Sequence, residues 1–294
     1  MNKEFILFLT DLHIGITPVF QAERIVKRAL KHAQRLDGEV IQIVLLGDLG
    51  EHIYATTKCL ELVRRVAGSI MPIAGTIGNH DLIASGDGMN GDTKYDEKFP
   101  AAFTDNDIIY LDKAEPIRIG FTHTFLIGNI GWYDCKAQMD HIHMTLPPEY
   151  WQSPKTKAER GMIDINIKWD RTDIEFAKEC RDRLIGQIEA IQEDDDVQEI
   201  IVGTHHPVLY KEIKGPQSRF EDPILDVYFY HPTLGEELAK YPKVKLVVSG
   251  HVHKARRYRV GEDGYYHYTI DSNYRAPNYN LFEIGNYSRA FAAY

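Results

Sequence analysis

Cysteine is scarce in this chain. There are three, Cys59, Cys135 and Cys180, far apart and never in a CxxC pair. That excludes a disulfide-dense scaffold and a thiolate zinc or dithiol redox motif. It suits a reducing compartment, and the cytoplasm is the expected location. Long apolar runs are missing too: none approaches the roughly 18 residues that span a bilayer. The N-terminal run Phe5–Leu9 stops at Asp11, too short for a signal peptide, and reads as a buried strand. No membrane partner is expected. Basic charge is the minority: 34 Lys and Arg face 43 Asp and Glu, for a net charge of -9. Such a balance argues against coating extended nucleic acid or anionic lipid, though a local anion site remains compatible with it. Internal repeats, low-complexity linkers and composition breaks are absent, so residues 1–294 read as one domain. With 44% hydrophobic and 26% charged residues, the composition excludes global disorder and fibrous folds.

What the chain does have is alternation of strand and helix patterns. Phe5–Leu9 is wholly apolar, as in a strand covered on both faces, and Val40–Leu46 is a second apolar strand. Between them Ala22, Ile25, Val26, Ala29, Leu30, Ala33 and Leu36 recur at helical spacing. A second helix is expected over Thr56–Val66 and a third strand over Ile70–Ala74. This βαβαβ order predicts an α/β fold with right-handed crossovers. Ser85–Asp107, rich in Gly, Asp and Asn, reads as a long loop. Ile108–Leu111 and Pro116–Ile130 read as strands of a meander, and 131–171 as a second long irregular insertion. Thr172 and Glu175 form a capping box that opens a helix carrying Ala177, Cys180, Leu184 and Ile188 on one face. Glu199–Gly203 and Lys245–Ser249 are further strands. Arg256–Val260 and Tyr265–Ile270 form a hairpin, and Tyr279–Ile284 is the last strand.

The chain is rich in histidine, with 13, and their positions matter more than their number. Asp11 and His13 follow the first strand, Asp48 the second, Asn79 and His80 the third. His205 follows Ile200–Gly203, and His251 and His253 follow Lys245–Ser249. In open α/β sheets ligands bind beyond the carboxyl ends of the strands, so these side chains converge on one crevice. Asp11 and His13, like His251 and His253, are spaced i and i+2 and point to the same side. Carboxylate, imidazole and amide oxygen suit Mn, Fe, Zn, Co or Ni better than Ca. The lack of cysteine ligands argues against a closed structural zinc site. The seven candidates Asp11, His13, Asp48, Asn79, His205, His251 and His253 exceed the needs of one ion. They fit two divalent or trivalent transition-metal ions sharing a carboxylate. Asp48, alone on its strand end, is the expected bridge. Paired metals roughly 3.5–4 Å apart are a common device for phosphate-ester hydrolysis.

Five motifs stand in order along residues 11–253: Asp11 and His13 around Leu12; Gly47, Asp48 and Glu51; Gly78, Asn79, His80 and Asp81; Thr204, His205, His206 and Pro207; Gly250, His251 and His253. Together they resemble the calcineurin-like metallophosphoesterase superfamily. The resemblance implies a two-sheet β sandwich flanked by α helices. It implies one metal on Asp11, His13, Asp48 and His253, and a second on Asp48, Asn79, His205 and His251. Glu51 is a departure, since the acidic residue closing the second motif is often Asp. The activity implied is hydrolysis of a small phosphate ester by a metal-bound hydroxide attacking in line. A phosphodiesterase or nuclease acting on nucleotides is the alternative. A non-catalytic scaffold on the same fold should have lost ligands, and here all are present. His80 is the expected general acid with Asp81 orienting its ring, while Asn79 and His206 are expected to contact substrate. Lys254, Arg256, Arg257 and Arg259 read as the solvated face of a hairpin, His141 and His143 as solvated loop, and the aromatic residues of 131–169 as loop packing.

Overall fold

The computed structural model describes residues 3–84, 88–136, 146–208, 223–262, 264–274 and 276–292. Two six-stranded mixed sheets lie face to face with helices outside each. The first has the order β12-β11-β1-β2-β3-β4. It comprises β1 (Lys3–Leu9), β2 (Gly38–Leu46), β3 (Ile73–Thr76), β4 (Ile109–Tyr110), β11 (Tyr279–Glu283) and β12 (Asn286–Ala292). Strands β1 to β4 pair in parallel, and β11 and β12 add on antiparallel. The second has the order β5-β6-β7-β8-β10-β9. It comprises β5 (Ile117–Arg118), β6 (Thr124–Asn129), β7 (Glu199–Thr204), β8 (Val244–Ser249), β9 (Arg256–Arg259) and β10 (Tyr266–Thr269). Its four central strands are parallel, with antiparallel edges.

Alternation along each strand builds the layers. Ile6 and Phe8 of β1 face the second sheet and meet Ile201, Leu246 and Val248 in the central core. Phe5, Leu7 and Leu9 face outward, against Ala22, Val26 and Ala29 of α1 (Val19–Arg35) and Leu60 and Val63 of α2 (Ile53–Ala67). On the far side Ile200 and Val202 pack against Leu184 and Ile188 of the long helix Asp173–Ile191. Strands buried on both faces must be apolar throughout, which is why these runs lack a polar alternation. The capping box is formed: Thr172 Oγ1 accepts from Glu175 N–H, and the Glu175 carboxylate accepts from Thr172 N–H.

Several expectations need correction. The third strand runs Ile73–Thr76 rather than Ile70–Ala74, and Ile70 is 94% exposed in a turn before Pro72. Ile108–Leu111 and Pro116–Ile130 are not one meander. β4 pairs with β3 in the first sheet, whereas β5 and β6 open the second, so the chain changes sheets between them. The two insertions are not plain loops. Within 85–107 lie the helical turn Gly91–Thr93, a π turn at Lys94–Lys98 and the helix Phe99–Asp105, anchored by buried Phe99 and Phe103. Within 131–171 lie the short helices Pro148–Gln152 and Pro154–Glu159 and a 3-10 turn at Ile163–Asn166. A further strand, β12, follows the one expected to be last. Among the described residues, no helix is long and apolar enough to cross a membrane.

Candidate metal centre

The carboxyl ends of β1, β2, β3, β7 and β8 meet at one rim, held together by main-chain bonds between loops. Asp11 N–H donates to Gly47 O at 3.0 Å, His13 N–H to Asp48 O at 2.9 Å and Gly250 N–H to His205 O at 3.0 Å. Close approach explains two of the glycines. A β-carbon on Gly78 would overlap the Asp48 carboxylate, and one on Gly250 would overlap Thr10 Oγ1 and Asp11. Asp11, His13, Asp48, His251 and His253 all have positive φ, between 45° and 68°. Each left-handed non-glycine costs on the order of 1–3 kcal/mol and persists where the surroundings over-determine it. The cysteines lie elsewhere, all three free and buried.

All seven expected ligands converge, in two groups. Asp11, His13, Asp48 and His253 offer ligand atoms within 4.8 Å of one another, and so do Asp48, His205 and His251. Asn79 joins the second group, its Oδ1 lying 3.2 Å from His205 Nε2 and 3.1 Å from His251 Nδ1. Asp48 faces both: Oδ1 is 3.4 Å from His205 Nε2 and Oδ2 is 3.7 Å from His13 Nε2.

Proton placement tests whether cations fit. His13 Nδ1 lies 2.7 Å from Glu51 Oε1, and His205 Nδ1 lies 2.8 Å from the Leu46 carbonyl. Each ring therefore donates from Nδ1 and presents Nε2 as a lone pair. Asn79 Nδ2 donates to Asp164 Oδ1 at 2.8 Å, which turns the Asn79 oxygen toward His205. Lone pairs thus face lone pairs in a buried place. Around an ion with ligands about 2.0–2.2 Å away, neighbouring ligand atoms at tetrahedral angles are ~3.3 Å apart. The observed separations are of that size, so the donor set fits two metal ions.

His80 sits beside the ligands without joining either group. Its Nδ1 lies 2.9 Å from Glu51 Oε2 and its Nε2 lies 3.2 Å from Tyr274 Oη. Burial works against a charged His80 ring, but Asp48 and Glu51 outweigh it and raise the pKa to about 9. Burial likewise opposes charge on Glu51, yet the His13 and His80 hydrogen bonds hold it down at about 2. Asp81 does not orient His80, contrary to expectation. Its buried carboxylate accepts from Gly78 N–H at 2.8 Å, Gly50 N–H at 2.9 Å and Thr56 Oγ1 at 2.5 Å, tying two ligand loops to α2. Glu51 performs the orienting instead, gripping His13 with one oxygen and His80 with the other. His206, expected to meet substrate, is wholly buried, its ring centroid 4.8 Å from Trp132 and 4.2 Å from His251. It backs the His251 ring.

The remaining candidates fall away from the chemistry. Arg257 lies over the rings of Tyr266 and Tyr268. Trp132 and Tyr133 are core residues. His141 and His143 lie outside the described residues. Tyr274 and Asp164 escaped sequence reasoning, because neither stands in a motif or at a strand end in the pattern.

Residues 6–255 match the calcineurin-like phosphoesterase family. Among solved structures, the phosphopantetheinyl hydrolase of Mycobacterium tuberculosis is similar with a TM-score of 0.66 and 14% identity, over 92% of this chain and 90% of that one. A dimetal phosphatase from Danio rerio is similar with a TM-score of 0.53 and 12% identity, over 99% of each chain. No curated protein matches significantly. At such identities the structures speak for the fold alone, whereas the family match spans most of the chain and coincides with the convergent ligand set. The chain belongs to the calcineurin-like phosphoesterase family and is a metal-dependent hydrolase of phosphate esters.

Proposed function

We propose that the centre holds two transition-metal ions bridged by Asp48 and hydrolyses a small phosphate ester, with His80 protonating the leaving oxygen. One ion takes Asp11, His13, Asp48 and His253, and the other Asp48, Asn79, His205 and His251. What carries the reading is Asp48, whose two oxygens face different histidines, His205 and His13. Bound cations supply Lewis acidity and make water nucleophilic at neutral pH. The protein's own residues do the rest. Glu51 fixes the tautomer of His80 by accepting from Nδ1, so Nε2 is the atom that exchanges a proton with the substrate. The Tyr274 hydroxyl, 3.2 Å from that nitrogen, keeps it in place before substrate arrives.

The test combines metal counting with hydrolysis. Protein loaded with Mn²⁺, Zn²⁺, Ni²⁺ or Fe²⁺ should bind two equivalents and cleave nitrophenyl phosphate, bis-nitrophenyl phosphate or both. Asp48→Asn should lower occupancy at both positions, and Asn79→Ala at one. Equal metal loss in the two variants counts against the shared carboxylate. A fully loaded protein with one ion, or with no activity on either ester, overturns the reading.

A further inference from the structure

A cavity of about 320 Å³ lies in the 146–173 region, and its wall includes Gln152, Lys157, Asp164, Ile165, Trp169 and Asp173. It is tied to the metal centre through one residue. Asp164 lines the cavity and, through Oδ1, accepts the amide of the ligand Asn79 at 2.8 Å. Asp164 is 2% exposed, and its other oxygen, Oδ2, has no hydrogen-bond partner. A buried carboxylate oxygen left unpaired is costly, and such groups in native proteins call for a partner. Of the other charges of the wall, Glu149 is exposed to solvent, and the rest are paired. Lys157 Nζ pairs with Asp173 Oδ2 at 2.6 Å, and Arg171 pairs with Asp92, Asp96 and Glu179. Asp173 also takes the Trp132 indole N–H at 3.0 Å.

Resting on the phosphoesterase reading, we propose that this cavity receives the alcohol part of the ester, and that Asp164 pairs with a second hydroxyl on that alcohol. The substrate class is a phosphate ester of a neutral polyhydroxy compound, of polyol or sugar type. The unpaired group is a carboxylate, so an alcohol bearing its own carboxylate or second phosphate is repelled. Lys157 and Arg171 in the same wall disfavour an ammonium group, so a neutral donor suits Asp164. The apolar wall at Ile165 and Trp169 matches the carbon face of such a compound.

The experiment compares esters with and without the second hydroxyl on metal-loaded protein. Glycerol 1-phosphate is paired with propyl phosphate, and ribose 5-phosphate with tetrahydrofurfuryl phosphate. A site built to bond a hydroxyl discriminates strongly against the analogue lacking it, so wild type should prefer each hydroxylated member in kcat/KM by at least about tenfold. Asp164→Asn keeps an oxygen for the Asn79 amide and changes only the unpaired atom. It should collapse both preferences toward one, chiefly through KM. Ile165→Trp, at a 38% exposed position, should raise KM for ribose 5-phosphate more than for glycerol 1-phosphate. If Asp164→Asn slows both members of each pair by one factor, Asp164 acts only through Asn79 and the proposal fails. A preference for 3-aminopropyl phosphate over glycerol 1-phosphate overturns the assignment to a neutral alcohol. Wild type inactive on every ester, nitrophenyl phosphate included, sinks the phosphoesterase reading itself rather than the cavity alone.

Discussion

Glu51 is the residue on which the site's two functions meet. One oxygen holds the ring of His13, a proposed metal ligand, at 2.7 Å, and the other holds His80, the proposed proton donor, at 2.9 Å. Glu51→Gln offers one acceptor and one amide, so it satisfies only one of the two rings in their present tautomers. Metal content and rate should fall together in that variant. His80→Ala separates the functions. It should keep its metals and lose about 10²–10⁴-fold in rate on esters whose leaving oxygen needs a proton. A nitrophenolate leaves without help, so the loss on a nitrophenyl ester should be much smaller. The check is a series of esters of graded leaving-group pKa, with metals counted in each variant. A uniform loss across the series means that His80 orients the phosphoryl group instead. Gly78→Ala belongs beside these: its β-carbon would collide with the Asp48 carboxylate, so the variant should lose metal even though its φ of -116° suits alanine.

At the scale of elements, the passage from first sheet to second is fixed by Asp112, which lies between β4 and β5. It accepts from the Thr76 hydroxyl at the end of β3, from Tyr95 Oη at 3.1 Å and from Ile130 N–H at 2.9 Å after β6. Burial raises its pKa to about 6 against these hydrogen bonds. The folded protein therefore holds this proton more tightly than the unfolded chain, whose value is about 3.9. The stability it contributes is complete below about pH 4 and is lost as pH rises through about 6. Asp112→Asn should remove that loss, with an amide on the Thr76 side and an oxygen for Tyr95 and Ile130. Its unfolding free energy relative to wild type should improve by about 2 kcal/mol between about pH 4 and about pH 8. Urea titrations at both pH values measure it, and a pH-independent difference refutes it. This sheet change also marks where the sequence ceased to be legible. The apolar runs and helical spacing place β1, β2, α1, β7 and β8, because burial on both faces leaves a continuous apolar string. Nothing in a two-residue strand such as β4 says which sheet it joins. The helix at Phe99–Asp105 hides because its flanks are rich in Gly and Asp, although Phe99, Ala102 and Phe103 carry the helical spacing. The ligands were legible because each follows a strand in a recurring pattern. Asp81 was misread because adjacency to His80 in sequence places its side chain on the other side, toward Gly50 and Thr56.

For the molecule as a whole, the proposed metal centre is a clamp between the two sheets. Asp11, His13, Asp48 and Asn79 follow strands of the first, and His205, His251 and His253 follow strands of the second. In the proposed assignment each ion takes ligands from both, so cation binding and sheet docking are linked. A ligand that binds only the folded state stabilises it by about 2.7 kcal/mol at a hundredfold excess over Kd. For a chain of 294 residues that corresponds to a rise in Tm of ~4 °C per ion. Chelation should therefore lower Tm by this amount in wild type. It should also speed amide exchange at the rim, at His13, Gly250 and His251, more than within β1 or β7. His13 N–H and Gly250 N–H bond across loops there, and His251 N–H donates to Asp11 at 3.1 Å, joining one sheet's loop to the other's. Asp48→Asn should show a much smaller response to chelator, because the residue common to both ions has lost its charge. If chelation lowers Tm equally in wild type and in Asp48→Asn, the stabilising cations sit elsewhere. If exchange quickens uniformly through both sheets, the ions stabilise the fold without clamping the sheets at this rim.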